Sequence, residues 1–194
     1  MKQLFSDFYW INPPDEFSIE EQEVCWQTKP QTDLWQRTGY GFRHDSASLF
    51  VTEVTGDFSF QLKTAYPNAE SLYDQCGIVM YQNSEQWLKA SVELISRDHA
   101  HLGAVLTQQG YSDWSSTDIP ASEREMWYRL SRRGNDFYLE NSEDGKLFKQ
   151  MRLFHFKLET IKARIGVYAC SPTSGSFQAS FSEFELGPCT WNLK

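Results

Sequence analysis

The stretch Trp87-Leu88-Lys89-Ala90-Ser91-Val92-Glu93-Leu94 alternates between two kinds of side chain along its whole length. In a β-strand, successive side chains point to opposite faces, so the apolar and polar positions separate cleanly. The preceding run from Cys76 to Tyr81 predicts the partner strand of a hairpin that turns at residues 82–85. One face is therefore a core face. The other carries an indole, an ammonium, a hydroxyl and a carboxylate in one row, which we interpret as the floor of a binding cleft. The alternative is a solvated sheet face with cross-strand ion pairs.

The rest of the chain predicts about a dozen short strands with almost no helical periodicity, which indicates an all-β antiparallel sandwich or barrel. We expect one domain over residues 1–194. Residues 1–14 are predicted to be an arm that wraps the sandwich rather than joining a sheet. Residues 110–116 are predicted to be a polar loop, and residues 154–160 a single helical turn.

The composition limits the possible partners. A net charge of -8 argues against general nucleic-acid binding, which needs a basic surface. No apolar run reaches the length of a membrane span, and the N-terminus lacks a signal-peptide core. The four cysteines are far apart and form no Cys-x-x-Cys motif. The sequence therefore predicts a reduced, cytoplasmic protein that binds neither nucleic acid nor membrane.

The predicted ligand-binding residues come from the cleft row and from the loops expected at its rim, where ligand contacts are common. Arg129 alternates out of its own apolar row, so it is predicted to pair with Glu93 or Asp74 on this face. The alternative for the loops is that their indoles cap the core and their carboxylates bond turn amides. The full predicted set is Asp33, Trp35, Tyr40, His44, Asp74, Gln75, Tyr81, Trp87, Lys89, Glu93, Asp113, Trp114 and Arg129.

Catalysis and metal binding have weaker support in the sequence. A glycosidase needs two carboxyl groups that flank the scissile bond, and Glu93 with Asp74 is the only pair we consider plausible. We therefore predict no catalytic residues and no cofactor. His99 and His101 share a strand face and could bind zinc, but no third ligand is near them in sequence, so no metal site is predicted.

A series of short motifs occurs in an order that resembles the concanavalin A-like domain-of-unknown-function family that includes the yeast regulation-of-enolase protein. The motifs are Tyr73-Asp74-Gln75-Cys76-Gly77, Trp87 to Glu93, Gly110-Tyr111-Ser112-Asp113-Trp114-Ser115, Trp127 to Gly134, Ser142-Glu143-Asp144-Gly145 and Tyr168-Ala169-Cys170-Ser171-Pro172. The resemblance implies a two-sheet jelly-roll sandwich with one concave face, like legume lectins and many glucanases. It implies no particular reaction.

Together, the residues and the resemblance predict a cytoplasmic, lectin-like, non-catalytic module. Its concave face would bind a carbohydrate or a similar polyhydroxylated ligand. One alternative, implied by the resemblance, is a protein-interaction or regulatory module of carbohydrate metabolism. Another is a glycoside-active enzyme that uses Glu93 and Asp74.

Overall fold

The computed structural model describes residues 4–192, which form a concanavalin A-like jelly-roll sandwich of two seven-stranded antiparallel sheets. The first sheet has the order β1-β6-β15-β8-β9-β10-β11, and the second has the order β14-β13-β12-β7-β16-β3-β2. A separate small hairpin consists of β4 and β5. The strands are β1 (Tyr9–Ile11), β2 (Phe17–Ile19), β3 (Val24–Gln27), β4 (Leu34–Gln36), β5 (Arg43–Asp45), β6 (Ser48–Thr55), β7 (Phe58–Ala65), β8 (Gln75–Asn83), β9 (Gln86–Leu94), β10 (His99–Gln108), β11 (Tyr111–Pro120), β12 (Glu125–Arg133), β13 (Asp136–Ser142), β14 (Lys149–His155), β15 (Lys162–Cys170) and β16 (Gln178–Gly187).

The main core lies between the two sheets and is built by the alternation seen in the sequence. On β9, Leu88, Ala90 and Val92 are fully buried in this core. On the facing sheet, β7 contributes Phe60 and Leu62 to the same cluster. The predicted all-β sandwich and the orientation of the β9 side chains are therefore confirmed.

A second, smaller core lies on the outer face of the first sheet, where the β4–β5 hairpin covers part of that face. It contains Leu34 and Trp35 from the hairpin together with Trp87 and Tyr168 from the sheet. Trp87 is 0% exposed. The hairpin thus divides the outer face into a buried apolar part and an open part beside it.

Three local predictions were wrong. Residues 111–120 form strand β11 instead of a loop, because β10 offers them an unpaired edge and the two strands pair along their whole length, with Val105 opposite Trp114. The segment Tyr9–Ile11 pairs with β6, so this part of the predicted arm belongs to the first sheet. Residues 1–3 of that arm lie outside the described residues. The predicted helical turn is absent, since β14 continues to His155 and the residues after it are irregular.

The final strand of the chain occupies an interior position in the second sheet. Strand β16 pairs with β7 on one side and with β3 on the other. Over residues 4–192, the structure has no helix long and apolar enough to cross a membrane.

Candidate functional site

A cavity of about 540 Å³ opens on the outer face of the first sheet, beside the β4–β5 hairpin. Strands β8, β9 and β10 form its floor, and the hairpin and β11 form its walls. We call it the sheet pocket. Its lining residues are Gln31, Asp33, Trp35, Tyr40, Phe42, His44, Tyr73, Gln75, Lys89, Ser91, Glu93, Ile95, His101, Gly103, Val105, Trp114, Pro172 and Thr173.

A hydrogen-bonded polar row crosses the floor of the sheet pocket. Lys89 Nζ donates to Gln75 Oε1 at 2.9 Å and lies 3.5 Å from Asp33 Oδ1. Gln75 Oε1 also accepts from the Tyr168 hydroxyl at 2.9 Å. Lys89 is only 5% exposed. A buried ammonium requires such partners, because leaving it unpaired in a low-dielectric site is costly.

Glu93 continues this row toward the open side of the pocket. Its Oε1 accepts a hydrogen bond from Gln75 Nε2 at 2.9 Å. Burial raises the pKa of the Glu93 carboxyl to about 7, with Asp33 adding to the rise and Lys89 and the Gln75 hydrogen bond opposing it. Glu93 can therefore accept or donate a hydrogen bond near neutral pH, depending on its protonation.

Aromatic side chains form the walls of the pocket. The Trp35 and Trp114 rings meet edge to face with their centroids 6.4 Å apart, and Tyr40 stacks on Phe42 at 5.4 Å. Gly103 makes room for one of the indoles, since a Cβ at this position would lie 2.8 Å from Trp114 Nε1. The pocket thus combines flat apolar walls with a polar floor.

Eight of the predicted ligand-binding residues line the sheet pocket, and their role in binding stays a prediction. They are Asp33, Trp35, Tyr40, His44, Gln75, Lys89, Glu93 and Trp114. The side chains predicted from the alternation along β9 and those predicted from the loops at the rim therefore lie in one place in the fold.

Two other predicted residues lie on the correct face but are covered by the hairpin. Trp87 belongs to the second core and donates from Nε1 to the Ser84 carbonyl at 3.3 Å. Tyr81 is buried in the same cluster, where its hydroxyl donates to Asp45 Oδ2 at 2.8 Å. The prediction that Trp87 forms the open floor of the cleft, with Tyr81 beside it, was therefore wrong.

Asp74 also lies away from the pocket. It is fully buried, and its Oδ1 accepts from Ser171 Oγ at 2.7 Å. Its Oδ2 accepts from the backbone amides of Glu70 and Ser71 at 3.2 and 2.9 Å. This carboxylate holds a turn together, so the proposed pairing of Glu93 with Asp74 around a substrate is wrong.

The last two predicted residues point to other surfaces. Arg129 lies on β12 of the second sheet and forms a bidentate pair with Glu140, at 2.7 and 2.9 Å. It therefore pairs with neither Glu93 nor Asp74. The exposed Asp113 forms an ion pair with Arg152, with 2.9 Å between Asp113 Oδ1 and Arg152 Nη2. Its side chain points away from the pocket because its neighbour Trp114 lies on the pocket face of β11.

Several lining residues were missed by the sequence predictions. His101, Gly103 and Val105 lie directly opposite Glu93, Ser91 and Lys89 in the register of β10 and β9. Extending the β9 parity to the next strand would have found them. Phe42, Pro172 and Thr173 reach the pocket from irregular segments, whose position no periodicity indicates.

Comparisons with known proteins agree with this architecture. The family model described as "Protein of unknown function (DUF1349)" matches residues 10–189. Regulation of enolase protein 1 from Saccharomyces cerevisiae is 35% identical over 177 residues, which cover 91% of this chain and 87% of that protein. A crystal structure of a functionally unknown protein from Saccharomyces cerevisiae superposes with a TM-score of 0.87 at 34% identity, covering 95% of this chain and 97% of that one.

More distant structures share the fold alone. The carbohydrate binding module CBM66 from Bacillus subtilis superposes with a TM-score of 0.59 at 8% identity, and the match covers 94% of this chain and 96% of that module. The GH43 protein BlXynB from Bacillus licheniformis reaches a TM-score of 0.70 at 15% identity, and the match covers 93% of this chain but 36% of that protein.

Proposed function

Since this chain belongs to the DUF1349 family of proteins of unknown function, we propose from its own pocket that it is a non-catalytic module that binds a carbohydrate or a similar polyhydroxylated ligand. The observation that carries the proposal is the sheet pocket, in which aromatic walls stand over the buried polar row of Lys89, Gln75 and Glu93.

The chemistry of a sugar matches both parts of this pocket. The C–H face of a pyranose or furanose ring is apolar and stacks on an indole such as Trp114, whereas its hydroxyls need paired donors and acceptors. Lys89 can donate, and Glu93 can donate or accept near pH 7 depending on its protonation. The Gln75 amide holds this row in place, since its oxygen already accepts from Lys89 and Tyr168 and its nitrogen donates to Glu93. The volume of about 540 Å³ lies in the range of small-ligand sites and suits one or two sugar rings. The shared fold of a carbohydrate binding module supports the same reading.

The non-catalytic part of the proposal rests on the carboxylates that reach the pocket. Besides Glu93, Asp33 lines it. Asp33 Oδ1 already accepts from the Leu34 amide at 2.7 Å and lies 3.5 Å from the Lys89 ammonium. A carboxylate engaged in this way serves to hold Lys89 in place, which favours binding over acid–base chemistry.

The second candidate function is a protein-interaction or regulatory role in carbohydrate metabolism. The name of the yeast relative, Regulation of enolase protein 1, supports it. So does the mouth of the pocket, where Tyr40, Phe42, Tyr73 and Trp114 are all exposed. Exposed aromatic side chains are enriched at protein interfaces.

A glycan array followed by calorimetric titration of each sugar that binds tests the leading proposal. Trp114→Ala should weaken binding about tenfold, because loss of ring stacking costs on the order of 1.5 kcal/mol. Phe17→Ala is the control, since Phe17 is an exposed aromatic residue on β2 of the second sheet and does not line the pocket. We expect the control to bind like the wild type.

Two outcomes would contradict the proposal. One is the absence of any bound sugar on the array. The other is equal binding by wild type and Trp114→Ala while both remain folded by circular dichroism. If the array shows no bound sugar, and the wild type captures one defined protein that Trp114→Ala does not capture, the regulatory role is favoured instead.

Cytoplasmic localisation is also part of the proposal. A fluorescent fusion imaged in cells tests it.

A further inference from the structure

Two histidines and a carboxylate meet at the open edge of the first sheet, next to the sheet pocket. His99 and His101 are two residues apart on β10, so their side chains lie on the same face. Asp118 is the direct partner of His101 on β11. The two imidazole rings meet at 85° with centroids 5.1 Å apart. The third group, which is distant in sequence, is thus supplied by the pairing of the two strands.

The distances in this cluster fit shared ligation better than hydrogen bonding. His99 Nε2 lies 3.6 Å and His101 Nε2 lies 3.5 Å from the same oxygen, Asp118 Oδ1. These separations exceed the usual range of about 2.7–3.2 Å for an N–H···O hydrogen bond. Ligand atoms that share a tetrahedral zinc ion with bonds of about 2.0–2.2 Å lie roughly 3.3–3.6 Å apart. All three ligand atoms lie within 4.8 Å of one another.

The other nitrogen of His101 supplies an independent observation. His101 Nδ1 is buried and has no hydrogen-bond partner within residues 4–192. The Glu93 Oε2 atom lies 3.9 Å away. A metal-ligating histidine donates its remaining N–H to a second group, most often a carboxylate or a carbonyl oxygen. With a metal at Nε2, the proton would stay on Nδ1 and face Glu93, so a small side-chain movement would satisfy the orphaned atom.

We propose that His99, His101 and Asp118 form a binding site for a divalent transition metal, best matched by Zn²⁺, with Glu93 orienting His101. Two imidazoles and one carboxylate suit zinc, whereas calcium and magnesium prefer sets made of oxygen ligands. Three protein ligands leave at least one coordination position for water or another oxygen ligand. His101 also lines the sheet pocket, where the centroid of its ring lies 5.6 Å from that of Trp114. This site goes beyond the proposed sugar binding and does not depend on it.

The test uses the untagged full chain after treatment with a chelator. Zn²⁺ is titrated in competition with a chromophoric chelator, and Co²⁺ is titrated separately to record its ligand-field absorption. The wild type should bind one ion per chain. His99→Ala, His101→Ala and Asp118→Asn should each lower zinc affinity by at least about tenfold and reduce the Co²⁺ bands.

His155→Ala is the matched control. His155 Nδ1 also lies against a carboxylate, Asp136 Oδ1 at 2.8 Å, but among residues 4–192 this pair is not part of a three-ligand cluster. The control should bind zinc like the wild type. The proposal is overturned if the wild type binds no zinc, or if the site variants and His155→Ala bind it equally. Asp118→Asn keeps the shape of an exposed side chain, so a folded variant is available even if a histidine variant fails to fold.

Discussion

Lys89 shows how a single residue on the outer face of a sheet becomes part of the interior. The sequence predicts a polar row on β9 at the floor of a cleft, and the hairpin and neighbouring strands leave Lys89 in that row only 5% exposed. Its desolvation is offset by Asp33 and Gln75, which lie within 3.5 Å of the ammonium. Removing one partner of such a group leaves the other buried and unpaired, which is usually more costly than losing a surface pair.

Glu93 makes the stability of the protein depend on pH. Its folded-state pKa of about 7 lies above the ordinary value of 4.5, so the folded state binds the proton more tightly than the unfolded state. The stabilisation of the folded state by this bound proton is fully present below about pH 4.5 and is lost as the pH rises through 7. The resulting change in the free energy of unfolding is roughly 3 kcal/mol at most.

We expect Glu93→Gln to remove this part of the pH dependence, because the amide does not titrate while its oxygen can still accept from Gln75. Chemical denaturation between pH 5 and pH 8, in the presence of a chelator, gives the free energy of unfolding. Above pH 7 the variant should be more stable than the wild type. Glu159→Gln, at an exposed position, is the control. An unchanged pH slope in Glu93→Gln would show that this carboxyl is not desolvated.

At the scale of elements, the β4–β5 hairpin decides which part of the outer sheet face is open. A few contacts to β11 and to the β8–β9 turn hold it in place. The Gln36 amide donates to Ser112 Oγ at 2.9 Å. The Arg37 guanidinium donates to the Gly110 carbonyl at 2.5 Å and to Glu85 Oε1 at 2.9 Å.

Arg37→Ala should loosen the hairpin with a small loss of global stability. The ion pair and hydrogen bond are partly exposed, so their removal should cost about 1–2 kcal/mol. Hydrogen exchange measured by mass spectrometry should show faster exchange across residues 34–45 than in the wild type. Arg43→Ala, which changes an exposed arginine of the same hairpin, should leave exchange unaltered. Equal protection in Arg37→Ala would mean that the apolar contacts of Leu34 and Trp35 hold the hairpin without Arg37.

The position of the hairpin marks the limit of what the sequence pattern could predict about the outer sheet face. Alternation along β9 correctly separated Val92 from Lys89 and Glu93, because parity is a local property of a strand. It could not separate Trp87 from Glu93, because a distant segment covers Trp87 and leaves Glu93 facing the pocket. Similarly, Asp118 lies far from His101 in sequence, and only the strand register brings it near. Periodicity assigns a side chain to a face, whereas tertiary contacts decide whether that face is open.

For the whole molecule, stability depends on the core between the two sheets. Val92→Asp should prevent folding, because Val92 is fully buried and a carboxylate there would have no charged partner. Soluble yield and far-ultraviolet circular dichroism measure the effect. Leu147→Asp, at a position that is 67% exposed, should fold normally. A cooperative, native-like melting transition in Val92→Asp would show that the sandwich core tolerates a charge at its centre.

The position of β16 between β7 and β3 has a consequence for synthesis on the ribosome. Strand β3 ends at Gln27, but its ladder partner begins only at Gln178, so β2 and β3 emerge long before the strand that connects them to the second sheet. Until then, Val24 and Trp26 lack their partners on β16, Phe181 and Ala179, although both are buried in the finished protein. Such long-range pairing folds slowly and leaves unpaired strand edges open to aggregation. We therefore expect the segment around β3 to be an early target for chaperones that bind nascent polypeptides.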